Sequence, residues 1–314
     1  MVYLSFFTSC FLIELISQLR GIEIVYGSFY PFWKLALLFY FASITLFVFG
    51  KQIPAMLCEC IALVVAFITP VFVSTFLAIS MGYPIVDDWL MAADARLGFD
   101  WVAYIYEIDK HPLLIDFLKI MYDIFYLLIL LVPLLLVVNR DVGRAYGFIF
   151  GFGFLCFLSS VISIWFPAKA AFYSYGVLPE DLENMVPLVG YGFLEQFNIA
   201  YYGNLTQISI DNLSGILTFP SVHAGVAFWV IWSARRLPFL GVPIGSISFC
   251  MAVSAISHGG HYLIDIVAGF GVACLTAIVV WTLFLRERPT LDEYHEPSWK
   301  TPQSVLLRTN AQTR

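Results

Sequence analysis

About eight stretches of this chain, each near 20 mostly apolar residues, are candidates to cross the hydrocarbon core of a bilayer. They fall at 2–19, 32–50, 55–79, 113–138, 145–166, 219–234, 239–257 and 262–285. A chain built this way is expected to fold as an all-α bundle, because in lipid each segment must bond its own backbone polar groups. Of its 314 residues 61% are hydrophobic and 12% charged, where a soluble domain carries about 25% charged residues. That is too little charge to cover a surface facing water. It excludes an ordinary soluble globule, a disordered chain and a disulfide-rich secreted module. The net charge of −6 argues against a nucleic-acid surface. Cys10, Cys58, Cys60, Cys156, Cys250 and Cys274 all lie in apolar stretches and read as small hydrophobes. The first window lacks a basic n-region and an A-x-A cleavage site, so it reads as a helix rather than a signal peptide.

Lys and Arg near helix ends give the orientation. Lys51, the pair Arg140 and Arg144, the pair Arg235 and Arg236, and the residues after 285 all fall on one side if eight helices alternate. That side is expected to be cytoplasmic, with both termini on it. Segments 80–112 and 167–218 and the turn 258–261 are then extracytoplasmic. The stretch 82–101 mixes acids with Trp89, Leu90, Leu97, Phe99 and Trp101, and reads as an amphipathic helix along the outer interface. The sequons at Asn204 and Asn212 fall on this outer side and bear on a eukaryotic source only. Residues 287–314 are polar and Pro-containing, as expected of a cytoplasmic tail without a packed core.

Three of five histidines fall at the predicted outer ends of the last three helices. His223 sits in Phe219-Pro220-Ser221-Val222-His223-Ala224-Gly225, and His258 and His261 in Ser257-His258-Gly259-Gly260-His261-Tyr262-Leu263-Ile264-Asp265. On a helix, His261 and Asp265 at i, i+4 share one face, about 6 Å apart. A carboxylate inside a membrane helix is costly and marks a functional site, with the imidazole as its partner. An Asp bonded to one ring nitrogen fixes the tautomer and makes the other nitrogen more basic. His261 is therefore a candidate nucleophile or base, and His223 a candidate proton donor. Ser221 and the amides that follow open a helix N-terminus, which suits phosphate. Asp116, Lys119 and Asp123 share another helical face, as an internal ion pair or as headgroup contacts.

The two motifs together resemble the second and third signatures of the type 2 phosphatidic acid phosphatase superfamily, and their wording resembles most its inositol phosphorylceramide synthase-like branch. The resemblance covers roughly residues 82–285. It implies a six-helix phosphatase-type core at 81–286, preceded by N-terminal membrane helices at 1–80, with the site at one membrane face. It implies His261 as the attacking group, Asp265 as its orienter, His223 as the acid for the departing alkoxide, Ser221 on phosphate, and no metal or other cofactor. The first family motif has Lys followed by Arg-Pro; here the corresponding stretch is 165–171, and only Lys169 offers a cation. The Arg six residues before the third-motif histidine is replaced by Ala255, and His258 is the candidate substitute donor.

The function expected is a lipid phosphatase or phosphotransferase acting on the phosphoester of a lipid or isoprenoid in the membrane. The alternative is a phosphosphingolipid synthase passing a phospho-headgroup to a lipid alcohol. The compartment follows the source: a bacterial inner membrane, or a eukaryotic Golgi or plasma membrane. Two further classes compete. A zinc hydrolase would use His223, His258, His261 and Asp265 as ligands. A transporter would use His261 and Asp265 as a proton relay. A non-catalytic descendant of the family would not need to keep these three residues.

Overall fold

The computed structural model describes residues 1–186, 191–210 and 215–286. The tail 287–314 and the Asn212 sequon lie outside them. The described chain is all-α apart from one two-residue pairing. Its membrane helices are α1 (Val2–Arg20), α2 (Tyr30–Val48), α3 (Gln52–Ile79), α6 (Pro112–Asp123), α7 (Phe125–Val138), α8 (Val142–Trp165), α11 (Val222–Ala234), α12 (Gly241–His258) and α13 (Leu263–Val280). Between them lie α4 (Asp87–Arg96), α5 (Trp101–Asp109), α9 (Ala171–Tyr175) and α10 (Leu194–Tyr201). Strand β1 (Glu23–Ile24) pairs in parallel with β2 (Gln207–Ile208), tying the end of α1 to the segment after α10. All six cysteines are unpaired.

Among the described residues six helices are long and apolar enough to cross a membrane, and seven if a bent pair counts as one span. Two of the eight expected windows depart from simple rods. Window 113–138 is broken: α6 and α7 meet at a bend of 50°. The turn at Ile124 places Tyr122 and Phe125 on the two sides of the break, both against the ring of His223. Window 219–234 yields an α11 of 13 residues, about 20 Å at 1.5 Å per residue and short of a full span. Its first three residues, 219–221, are not helical. They form a buried entry that Ser221 closes by accepting a bond from the amide of Ala224.

The main core lies among α3, α7, α8, α11, α12 and α13. Glycines set the closest approaches, as expected where lipid gives no hydrophobic drive between helices. At Gly269 of α13 a side-chain carbon would stand 2.5 Å from the carbonyl oxygen of Ser221, and at Gly225 of α11 it would stand 3.2 Å from that of Gly269. The lack of a side chain at Gly269, and the tight fit at Gly225, let the starts of α11 and α13 meet. The tryptophan Trp229 fills the space over Gly151 and bonds the carbonyl of Phe148.

The stretch 82–101 is not one interfacial helix. Residues 87–96 form α4, and α5 begins at Trp101 after Asp100 caps it. Its polarity is also reversed. Asp87, Leu90 and Asp94 form the buried face, while Trp89 is exposed. The acids turn inward because backbone amides from distant segments await them there.

Candidate active site

His261 is not on a helix. It lies in the turn 259–262, and α13 begins at Leu263 with Tyr262 as its N-cap. The expected pairing nevertheless forms, by a different route. Asp265 is the third residue of α13, and its Oδ2 accepts from the amide of Tyr262 at 3.0 Å. The same oxygen lies 3.2 Å from Nδ1 of His261. The carboxylate is thus an N-terminal cap and an imidazole partner at once. It is fully buried, His261 is 4% exposed, and Oδ1 of Asp265 has no hydrogen-bond partner among the described residues.

The turn is held on every side. Trp101 of α5 donates its indole N–H to the carbonyl of His261 at 3.0 Å. Ala171 of α9 donates to the carbonyl of Gly260 at 2.8 Å. The amide of His261 reaches the carbonyl of Ala255, so the position expected to lack an arginine is a buried alanine supporting the turn from below. Gly260 has φ +65°, and a side-chain carbon at Gly259 would stand 2.7 Å from Cδ2 of His261 and 3.1 Å from the ring of Tyr122. Both glycines are required by the tight turn.

Tyr122 links the histidines. Its ring stacks on His223 at 4.1 Å between centroids and 10° between planes, and Phe125 covers His223 from 4.3 Å. The imidazole of His261 lies within electrostatic reach of His223. The amide of Ser221 donates to the carbonyl of Asp265 at 3.1 Å, which joins the two motifs directly. The Oγ of Ser221 is buried and accepts from Ala224, so its own proton remains available to donate. The amides of Val222 and His223, at the open end of α11, have no partner among the described residues.

His258 ends α12, bonded through Nδ1 to Ser257 at 3.0 Å, with the Tyr122 ring 6.5 Å away. Lys119 and Asp123 of α6 act on it electrostatically. Asp116, Lys119 and Asp123 are exposed, and no ion pair joins them. Lys169 gives its amide to Asp87 and its carbonyl to Thr218, and its ammonium lies over the rings of Tyr173 at 4.5 Å and Tyr202 at 6.0 Å. Among the described residues no contact ties it to His223 or His261. Among the described residues no three His, Cys, Asp or Glu side chains are grouped to hold a metal ion.

The sequence reading missed the acids of α4. Asp94 is fully buried and accepts from the amides of Leu263 and Ile264, each at 2.8 Å. Asp87 accepts from the amide of Lys169, from Ser174 Oγ at 2.9 Å and from the hydroxyl of Tyr262 at 2.7 Å. Burial raises the pKa of the Tyr262 hydroxyl, and the neighbouring Asp87 carboxylate adds to the rise, so it stays a donor. The available signal was the i, i+7 spacing of Asp87 and Asp94 around Leu90, one helical face two turns long.

Trp89, Phe166 and Phe219 form a triangle of rings with centroids 5.6 to 6.1 Å apart. Phe219 of this triangle directly precedes the Pro220-Ser221 entry.

No curated protein and no solved structure gives a significant match to the chain. A family model described as the PAP2 superfamily matches residues 88–279. That span runs from α4 into α13 and contains every site residue expected from the sequence. The match covers well over half of the chain, and the chain therefore belongs to the PAP2 superfamily of phosphatase-type membrane enzymes.

Proposed function

We propose that the protein transfers a phosphoryl group from a lipid or isoprenoid phosphoester through a covalent phosphohistidine at His261, without a metal, on the extracytoplasmic face. The observation that carries this reading is the bond between His261 Nδ1 and Asp265 Oδ2 at 3.2 Å. An anionic partner at Nδ1 assigns the ring proton there and leaves the Nε2 lone pair free to attack. Nε2 forms a bond to phosphorus while the bond from phosphorus to the lipid oxygen breaks. His223 delivers a proton to that oxygen, and the charge left on the phosphoimidazolium faces Asp265. The open amides of Val222 and His223 and the Ser221 hydroxyl are placed to hold phosphate oxygens. In the second half, water or a lipid alcohol attacks phosphorus, His223 takes up its proton, and the bond between phosphorus and Nε2 breaks.

The aromatic triangle of Trp89, Phe166 and Phe219 favours keeping the synthase reading beside hydrolysis. A second lipid entering over these rings would bring an alcohol to the phosphohistidine where water is scarce.

The test is phosphate release from a panel of lipid and isoprenoid phosphates by detergent-purified protein in EDTA. Release that persists in EDTA is expected. Activity lost on chelation and restored by zinc would overturn the metal-free mechanism. No release until a lipid alcohol is added would assign the transferase. For orientation, Gly215→Cys is expected to react with an impermeant thiol reagent added outside intact cells and Val142→Cys to stay unlabelled. The opposite pattern would invert the topology.

A further inference from the structure

The site contains a buried charge that phosphoryl transfer through His261 and His223 does not call on. Asp94 sits on α4, in a different part of the chain from the dyad, 169 residues before its first partner. Its two oxygens each take one of the first two amides of α13, those of Leu263 and Ile264. Asp265 takes the amide just before them. Three successive amides at the start of α13 thus point at carboxylates.

Two consequences follow. The N-terminus of a helix carries about half a positive charge, and here it abuts the proposed nucleophile. Unopposed, it would draw electron density from His261 and compete with α11 for the substrate phosphate. Asp94 occupies those amides and cancels the potential, leaving α11 as the open anion-binding terminus. Asp94 also clamps the backbone on one side of Tyr262 while Asp87 holds the Tyr262 ring through its hydroxyl. Because Tyr262 follows His261 in the chain, the two acids of α4 fix the direction in which the imidazole leaves the backbone.

We propose that Asp94 is a positioning residue of the phosphoryl-transfer site, fixing the His261 turn and supplying the negative charge that offsets the start of α13. This rests on the reading of His261 as nucleophile. The titratable groups facing Asp94 are Asp265 of α13 and Tyr175 of α9, which also senses Asp100. Those facing His261 are Asp265 and His223. Burial raises the Asp94 carboxyl pKa, and its two amide bonds offset only part of that rise.

The experiment compares pH profiles of kcat/KM with a nitrophenyl phosphoester for the wild type, Asp94→Asn, His261→Ala and the surface control Glu107→Gln. The acid limb reports protonation of the free nucleophile. Removing a nearby negative charge makes imidazolium less stable, so the limb must move to lower pH. The expected shift is roughly half a unit to one unit. With it kcat should fall about 10- to 100-fold, the scale on which a displaced reacting group loses rate, with KM changed less than about threefold. Glu107→Gln should match the wild type. Asp94→Asn with an unmoved acid limb would overturn the proposal, whether or not kcat falls, because a purely structural cap moves no limb. If Asp94→Asn is not recovered folded, Asp94→Glu keeps the charge and displaces it: kcat should fall with the limb in place, and wild-type kcat would overturn the proposal. Wild-type turnover by His261→Ala would instead bring down the nucleophile reading, and that result is separate from either outcome at Asp94.

Discussion

Substituting His261 by Ala should lower turnover of every phosphoester substrate by about 10⁴-fold or more, leaving protein that inserts and folds. The imidazole touches little that the fold needs. The surrounding turn is held through backbone atoms, by Trp101 on the carbonyl of His261, Ala171 on Gly260 and Ala255 on the amide of His261. Alanine keeps all three bonds. It removes the proposed nucleophile and leaves Asp265 with the amide of Tyr262 as its remaining donor. Quenching the wild type in alkaline detergent with radiolabelled phosphate donor should trap a base-stable, acid-labile phosphoprotein that His261→Ala does not form. Near-normal turnover by the variant would end the covalent mechanism.

His223→Ala should cost about 10²- to 10⁴-fold with a lipid alkoxide as leaving group. With a nitrophenyl ester the loss should shrink to about tenfold or less, because a phenolate of low basicity departs without a proton. The contrast between the two substrates is the diagnostic measurement. An equal loss on both would mean that His223 binds phosphate rather than protonating the leaving oxygen. The substitution also empties the slot between Tyr122 and Phe125, so melting temperature should be followed. Simple collapse of that slot would lower it without producing a leaving-group dependence.

The pairing of His261 with Asp265 was legible because one short motif carries both residues at i, i+4 spacing. The helical face assumed for them was not needed: a capping carboxylate reaches back over the same four residues to a histidine outside the helix. The bundle was legible from apolar length alone. The bend at Ile124 was not, since no proline or glycine marks the break. The roles of Asp87 and Asp94 were hidden because their partners, backbone amides and for Asp87 also two hydroxyls, lie far along the chain and leave no local pattern to read. An acid in a polar stretch looks the same whether it faces water or a helix end. Lys169 shows the reverse case. Its cation suggested phosphate, while its backbone is what the site holds, through Asp87 and Thr218.

The bonds from Asp94 to Leu263 and Ile264 also impose an order on biosynthesis. The acceptor leaves the ribosome long before its donors, with 169 residues between Asp94 and Leu263. At about 5 to 20 residues per second that interval is roughly 10 to 30 s. Through it, α4 must wait at the membrane surface with two hydrated carboxylates, and α11 has no α13 to close against. No partial chain can hold the His261 turn in place. On the proposed reading, a nascent protein is therefore inactive until α13 inserts, and the site is completed in that step.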